Sequence, residues 1–216
     1  MQRLHTHANY IYGVIVGLAI REALVRTVPQ LIPPFSLELW KVYLVVFRLI
    51  LFLLTITCFY FGAGIYFDKV HLNPETAVKY PRKSYGLDFA SGLIHFLIFF
   101  AWSLTVVDFS RHAAGVSPFL FLLSAVFLYD LVWIFANVRF DSVQEIKMWT
   151  LMCLFVFVVA TAVFFVSRTI TQNDVFSEEL ALVVYLAYLA GDAVELLTGQ
   201  PVFLPLIKTK ILPRSD

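Results

Sequence analysis

Long apolar runs broken by short polar punctuation set the character of this chain. Four of them, at 39–67, 87–107, 118–138 and 148–167, are long enough for a membrane crossing. Spanning roughly 30 Å of hydrocarbon takes about 20 mostly apolar residues in helical form, because a helix satisfies its own backbone groups where no water is present. The boundaries carry the expected signals. Ser117 before Pro118 reads as an N-cap with proline at the first helical position, and Ser142 with Glu145 three residues later reads as a capping box. Two further segments are weaker: 9–28 holds Arg21, Glu22 and Arg26 in its second half, and 177–197 has acids near both ends before Gly199 and Pro201. The pattern predicts an all-α fold, a polytopic helical membrane bundle of about six transmembrane helices, with five as the alternative count.

Loop charge decides between the two counts, since Lys and Arg favour the cytoplasmic side. With six spans, one side holds Arg3, Lys69, Lys79, Arg82, Lys83, Arg139, Lys147, Lys208, Lys210 and Arg214, ten in all. The other side holds five: Arg21, Arg26, Lys41, Arg111 and Arg168. With five spans the tail changes sides and the split becomes seven against eight, which removes the bias. The expectation is therefore six spans with both termini cytoplasmic, in a single integral membrane domain over 1–216. A basic cytoplasmic loop falls at 68–86 and an interfacial tail at 200–216, and the expected location is the cell (inner) membrane.

Composition agrees. Hydrophobic residues make up 60% of the chain, aromatics 17% and charged residues 14%, with a mean hydropathy of +0.82; soluble domains average about 25% charged. A net charge of +1 argues against a polyanionic partner, so nucleic acid is not expected. Cys58 and Cys153 both fall inside apolar runs and give no disulfide framework. Arg3 followed by the apolar run from Tyr10 to Ile20 imitates a signal peptide, yet no small-x-small cleavage site follows, so the segment reads as a retained first helix. Trp40, Trp102, Trp133 and Trp149 lie in the outer thirds of their helices, where interfacial belts place them.

Ionisable side chains at membrane depth cost about 2.5–3.5 kcal/mol each on insertion scales and so face the bundle interior with a partner. Arg48, His95, Asp130 and Asp192 qualify. His95 lies eight residues after Leu87 and Asp130 eight before Val138, on antiparallel helices, so at about 1.5 Å per residue the two share one depth. That predicts a His95–Asp130 hydrogen bond, with Arg48 joining through Asp130. Such a cluster can relay protons or gate a pore; its plainer reading is a polar clamp holding helices together. On the last helix Glu178, Ala181, Tyr185, Tyr188, Asp192 and Glu195 recur at spacings of three and four and share a face. That face is the candidate pore lining of a homo-oligomer, since carboxylate rings favour cations, or else an ordinary packed interior face. Gly13 and Gly17 form a GxxxG pair for close helix packing, within the chain or between copies. Lys79, Arg82 and Lys83 make a basic patch with Tyr80 and Tyr85, read first as a loop touching anionic headgroups and second as a docking site for a cytoplasmic protein.

Signatures for HExxH or CxxC metal sites, a GxSxG nucleophile and a GxxxxGK[ST] phosphate loop are absent from the sequence. No enzyme activity, cofactor or metal is therefore expected. The partners expected are the lipid bilayer and further copies of this chain, with a cytoplasmic protein as a third candidate at loop 68–86 and the tail. Three function classes follow. The first is a homo-oligomeric ion channel or pore-like membrane effector. The second is a membrane-anchored sensor or partner subunit, as in bacterial defence and signalling systems. The third is an intramembrane enzyme acting on lipid through His95 and Asp130.

Overall fold

The computed structural model describes residues 2–32, 37–67, 71, 82–110, 115–137 and 144–198. Among them are six helices and no strand: α1 (Gln2–Leu31), α2 (Leu39–Phe67), α3 (Arg82–Ser103), α4 (Pro118–Asn137), α5 (Gln144–Thr171) and α6 (Asp174–Thr198). Each packs mainly on two others, and the contacts close a ring in the order α1, α3, α4, α5, α6, α2 and back to α1. The expected segments reappear with shifted ends. Helices α1, α5 and α6 run beyond their apolar stretches because hydropathy marks a hydrocarbon-length core, whereas a helix continues into its polar flanks wherever the residues are good helix formers.

Local chemistry sets several ends. Ser117 caps α4, its Oγ accepting from the Leu120 amide at 3.2 Å; Ser142, the other expected cap, lies outside the described residues. At the α5–α6 turn Asn173 Oδ1 accepts from the amides of Val175 and Phe176, both at 3.1 Å. Gln172 takes the left-handed conformation there (φ 51°), and Arg168 pairs with Asp174 across the turn at 2.7 Å. Helix α3 ends four residues before the expected 107. Ser103 and Thr105 hydroxyls donate to the carbonyls three residues earlier, at 2.6 and 2.8 Å, and the chain continues as turns to Val107.

The interior is aromatic. Phe59 of α2 touches Phe99 of α3 and Phe127 of α4, with ring centroids 5.4 and 5.7 Å apart, and Phe127 meets Tyr185 of α6 at 5.0 Å. Trp102 is fully buried between Phe52 and Phe119, so it belongs to the core and not to an interfacial belt. The outer surface is apolar as well: Leu18, Ile50, Leu97, Leu128, Val158 and Val183, one from each helix, stand about half exposed. Among the described residues three helices are long and apolar enough to cross a membrane, over Leu39–Gly64, Tyr85–Ser103 and Met152–Thr171; Pro118–Trp133 is apolar but shorter.

The close approach expected at Gly13 and Gly17 occurs elsewhere. A Cβ on Gly13 would meet only the Tyr60 hydroxyl, at 3.4 Å, and Gly17 faces open space with nothing within 4 Å. Helix α1 instead turns Ala19 and Ala23, both fully buried, toward the core, because Gly17 falls on the outward side of the same helix. The tight contact is Gly92 of α3 against Tyr12 of α1. A Cβ on Gly92 would lie 2.5 Å from Tyr12 Oη and 2.9 Å from its Cζ. Tyr12 cannot retreat freely, since its hydroxyl donates to the Phe89 carbonyl at 2.8 Å and its ring stacks on Phe89 and Phe96. Gly92→Ala is accordingly expected to lower stability by about 1–3 kcal/mol through overpacking, read as a drop in Tm in detergent, while Gly17→Ala leaves Tm unchanged or slightly raised.

Candidate functional site

Arg48 and Glu178 are both fully buried and meet at 2.7 Å, Nη2 to Oε1. The other terminal nitrogen is used too. Its Nη1 donates to the Asp108 carbonyl at 2.8 Å and approaches that of Val106 at 3.4 Å. Phe109 and Phe119 flank the cation, with ring centroids 5.0 and 5.1 Å from Cζ. Ser117 Oγ donates to the same Glu178 oxygen at 2.6 Å while accepting from the Leu120 amide, so the cap of α4 is also part of the ion-pair network. The planar, always-charged guanidinium suits this place, offering donors in two directions and flat faces to aromatic rings. The network joins α2, the turns after α3, the start of α4 and the first turns of α6.

This corrects the expected partnership of Arg48. It does not join His95 and Asp130: Glu178 holds it near the other end of the bundle, because α6 and not α4 is the ring neighbour of α2. His95 and Asp130 do lie on neighbouring helices at one level, with Nδ1 and Oδ1 3.9 Å apart. That separation is longer than a hydrogen bond. The imidazole bonds instead to the backbone of Val126, one turn before Asp130. His95 Nε2 and Asp130 Oδ2 are buried without a hydrogen-bond partner among the described residues.

The face of α6 expected to line a pore between copies turns inward within one chain. Glu178, Tyr185 and Tyr188 are 0%, 1% and 6% exposed, so a neighbouring copy has no access to them. The reason is that α6 packs on both α2 and α5, and its polar stripe lies on the side shared by those contacts. Going along the stripe, Glu178 holds Arg48 and Ser117, Tyr185 lies beside Ser124, Tyr188 Oη is 3.7 Å from Cys153 Sγ, and the Cys58 thiol bonds to Asp192. The side chain of Glu195 lies outside the described residues, as do Lys79 and the side chains of Arg82 and Lys83; the tail 200–216 does likewise.

One buried pair had no counterpart among the sequence expectations. His71 Nε2 and Asp88 Oδ2 are 2.9 Å apart, each side chain 3% exposed, with the Tyr85 ring edge-on to the imidazole at 4.9 Å. The only signal was Asp88 itself, an acid one residue inside an apolar run, where the usual reading is an interfacial charge. Among the described residues no group of three or more His, Cys, Asp or Glu side chains is placed to hold a metal ion. No protein-family model, curated protein or solved structure matches the chain.

Removing one partner of a fully buried pair leaves the other charged and unsolvated, at a cost of about 3–5 kcal/mol, whereas an apolar pair of similar volume is often tolerated. Arg48→Met and Glu178→Leu are each expected to lower Tm sharply in detergent, and the double variant to recover most of the loss. A double variant as unstable as the two losses summed would show that the carbonyl and ring contacts of Arg48, not its charge pairing, hold the site.

Proposed function

We propose that this protein is a six-span membrane bundle with both termini cytoplasmic, and that it conducts protons along a polar track inside each chain. The observation that carries this reading is the inner stripe of α6. From Glu178 to Asp192 the stripe rises through fourteen residues, about 21 Å at 1.5 Å per residue, most of a hydrocarbon thickness of roughly 30 Å. Along it, polar partners arrive from α2 (Arg48, Cys58), α4 (Ser124) and α5 (Cys153), and Asp130 with His95 stands beside its Asp192 end. Titratable groups held in an apolar bundle mark ion or proton pathways by default. An interior packed with aromatic rings favours proton transfer between side chains over passage of a hydrated cation.

Membrane embedding of all six helices is supported by the half-exposed apolar residues on each outward face and by the ten-to-five division of loop charges. In water such a girdle is far larger than a soluble monomer presents. The charges of α1 fit the same picture, since Arg26 and Glu22 pair at 2.8 Å, one turn apart, near its end. A track within one chain does not need a ring of copies, which is where this proposal departs from the homo-oligomeric pore expected from sequence.

Protein in liposomes with an entrapped pH-sensitive dye is expected to pass protons under an imposed gradient. Asp130→Asn and Asp192→Asn should each reduce the flux at least tenfold while helical circular dichroism and Tm are kept. Unchanged flux in both variants sinks the conduction reading, and loss of folding in both would mark the cluster as a structural clamp.

A further inference from the structure

The track has a gap that direct side-chain bonds do not close. Tyr185 follows Glu178 by seven residues, about 10 Å along the helix, and its buried hydroxyl has no hydrogen-bond partner of good geometry among the described residues. A cavity of about 80 Å³ opens at this place between α4, α5 and α6. It extends from Val116, just before α4, to Ser124 and Tyr185, with Thr161, Phe164 and the half-exposed Phe165 of α5 on its walls, and is partly open to the outer surface. Three hydroxyl-bearing residues, Ser124, Thr161 and Tyr185, thus line one cavity, and Tyr185 is only 1% exposed.

We propose that this cavity is a water site that carries the track from the Glu178 end of the bundle to Tyr185, an inference that rests on the conduction reading above. Size and chemistry agree on the occupant. A water takes about 30 Å³ in the liquid and needs two to four polar partners to be held inside a protein, so the cavity has room for about two molecules and supplies three hydroxyls. An engineered apolar cavity that takes a benzene ring is about 150 Å³, roughly twice this volume, which disfavours a cyclic apolar ligand. A lipid chain end would fit by size but would leave the buried Tyr185 hydroxyl with nothing beyond the poorly aligned Ser124 hydroxyl, an arrangement native interiors avoid. Water gives that hydroxyl both a donor and an acceptor. The Ser124 and Thr161 hydroxyls can then hold the chain in line, and a proton arriving from the Glu178 side is passed on without a charged side chain at mid-depth.

A nitrile reports the occupant directly, because its stretching frequency rises when water donates a hydrogen bond to it and falls in hydrocarbon. Full-length protein carrying Tyr185→p-cyanophenylalanine, in nanodiscs of phosphatidylcholine and phosphatidylglycerol, is expected to show the stretch at its aqueous position. A thiocyanate on Thr161→Cys, in the same cavity but on α5, should also report its aqueous position. A hydrocarbon-like band at either position overturns the water site; an aqueous band at 185 with a hydrocarbon-like one at 161 means that the donor at 185 is the Ser124 hydroxyl. If the aromatic probe prevents folding, the thiocyanate at 161 decides alone between the same outcomes. The readout is independent of transport: an aqueous band in protein that passes no protons removes the conduction reading alone, and a hydrocarbon band with normal flux removes the water site alone.

Discussion

Arg48 and Glu178 have no water to turn to, and the arrangement of the bundle follows from their need for each other. A lone guanidinium or carboxylate at 0% exposure would be prohibitive in an apolar interior, so each position is acceptable only with the other in place. The pairing fixes the azimuth of α2 and of α6 at once, because each helix must turn one particular residue toward the same point. The remaining donors of Arg48 then take the carbonyls of Val106 and Asp108, which requires the chain to leave the helical path after Ser103 and fold its turns over the site. Ser117, bonded to Glu178, sets where α4 begins. One ion pair thereby locates parts of three helices and the turns that follow α3.

With that end fixed, the ring closes on an aromatic filling. Phe52, Phe59, Phe99, Trp102, Phe119 and Phe127 occupy the space inside, and their edge-to-face and tilted contacts give a packed interior without long-range polar bonds. A glycine appears where a ring presses against a neighbouring helix, as at Gly92 beneath the Tyr12 side chain. Buried polar groups fall mainly on a stripe of α6 and on positions beside it, with the separate His71–Asp88 pair at the start of α3. This segregation, with apolar residues outside, rings within and a polar stripe along α6, is the feature on which the proposed proton conduction rests. It also explains why the acidic face of α6 was open to two interpretations from sequence, since periodicity places residues on a common face without saying whether that face looks inward or toward another copy.

Much of the secondary structure was legible. The bounds 39–67 for α2 appear unchanged, and Ser117 caps the helix that begins at Pro118, because apolar length and capping chemistry are local properties. The common depth of His95 and Asp130 was legible as well, from the fixed rise of antiparallel helices. The partner of Arg48 was not. Glu178 sits at the start of its helix, where an acid ordinarily means an interface, and its place on the stripe of α6 does not say which helix that stripe meets. Asp88 was hidden for the same reason, its buried partner His71 lying in a segment that reads as a polar loop.

Sequence by itself determined that the chain is helical, where its main apolar helices lie, and which residues are too polar for their surroundings. Those facts depend on backbone hydrogen bonding and side-chain transfer energies, both local to a stretch of about twenty residues. Tertiary structure alone decided which of the misplaced polar groups meet. Arg48 and Glu178 are 130 residues apart in the chain, and their contact depends on α6 returning to stand beside α2 when the ring closes. Helix order and rotation come from packing among all six helices, and no single segment contains that information.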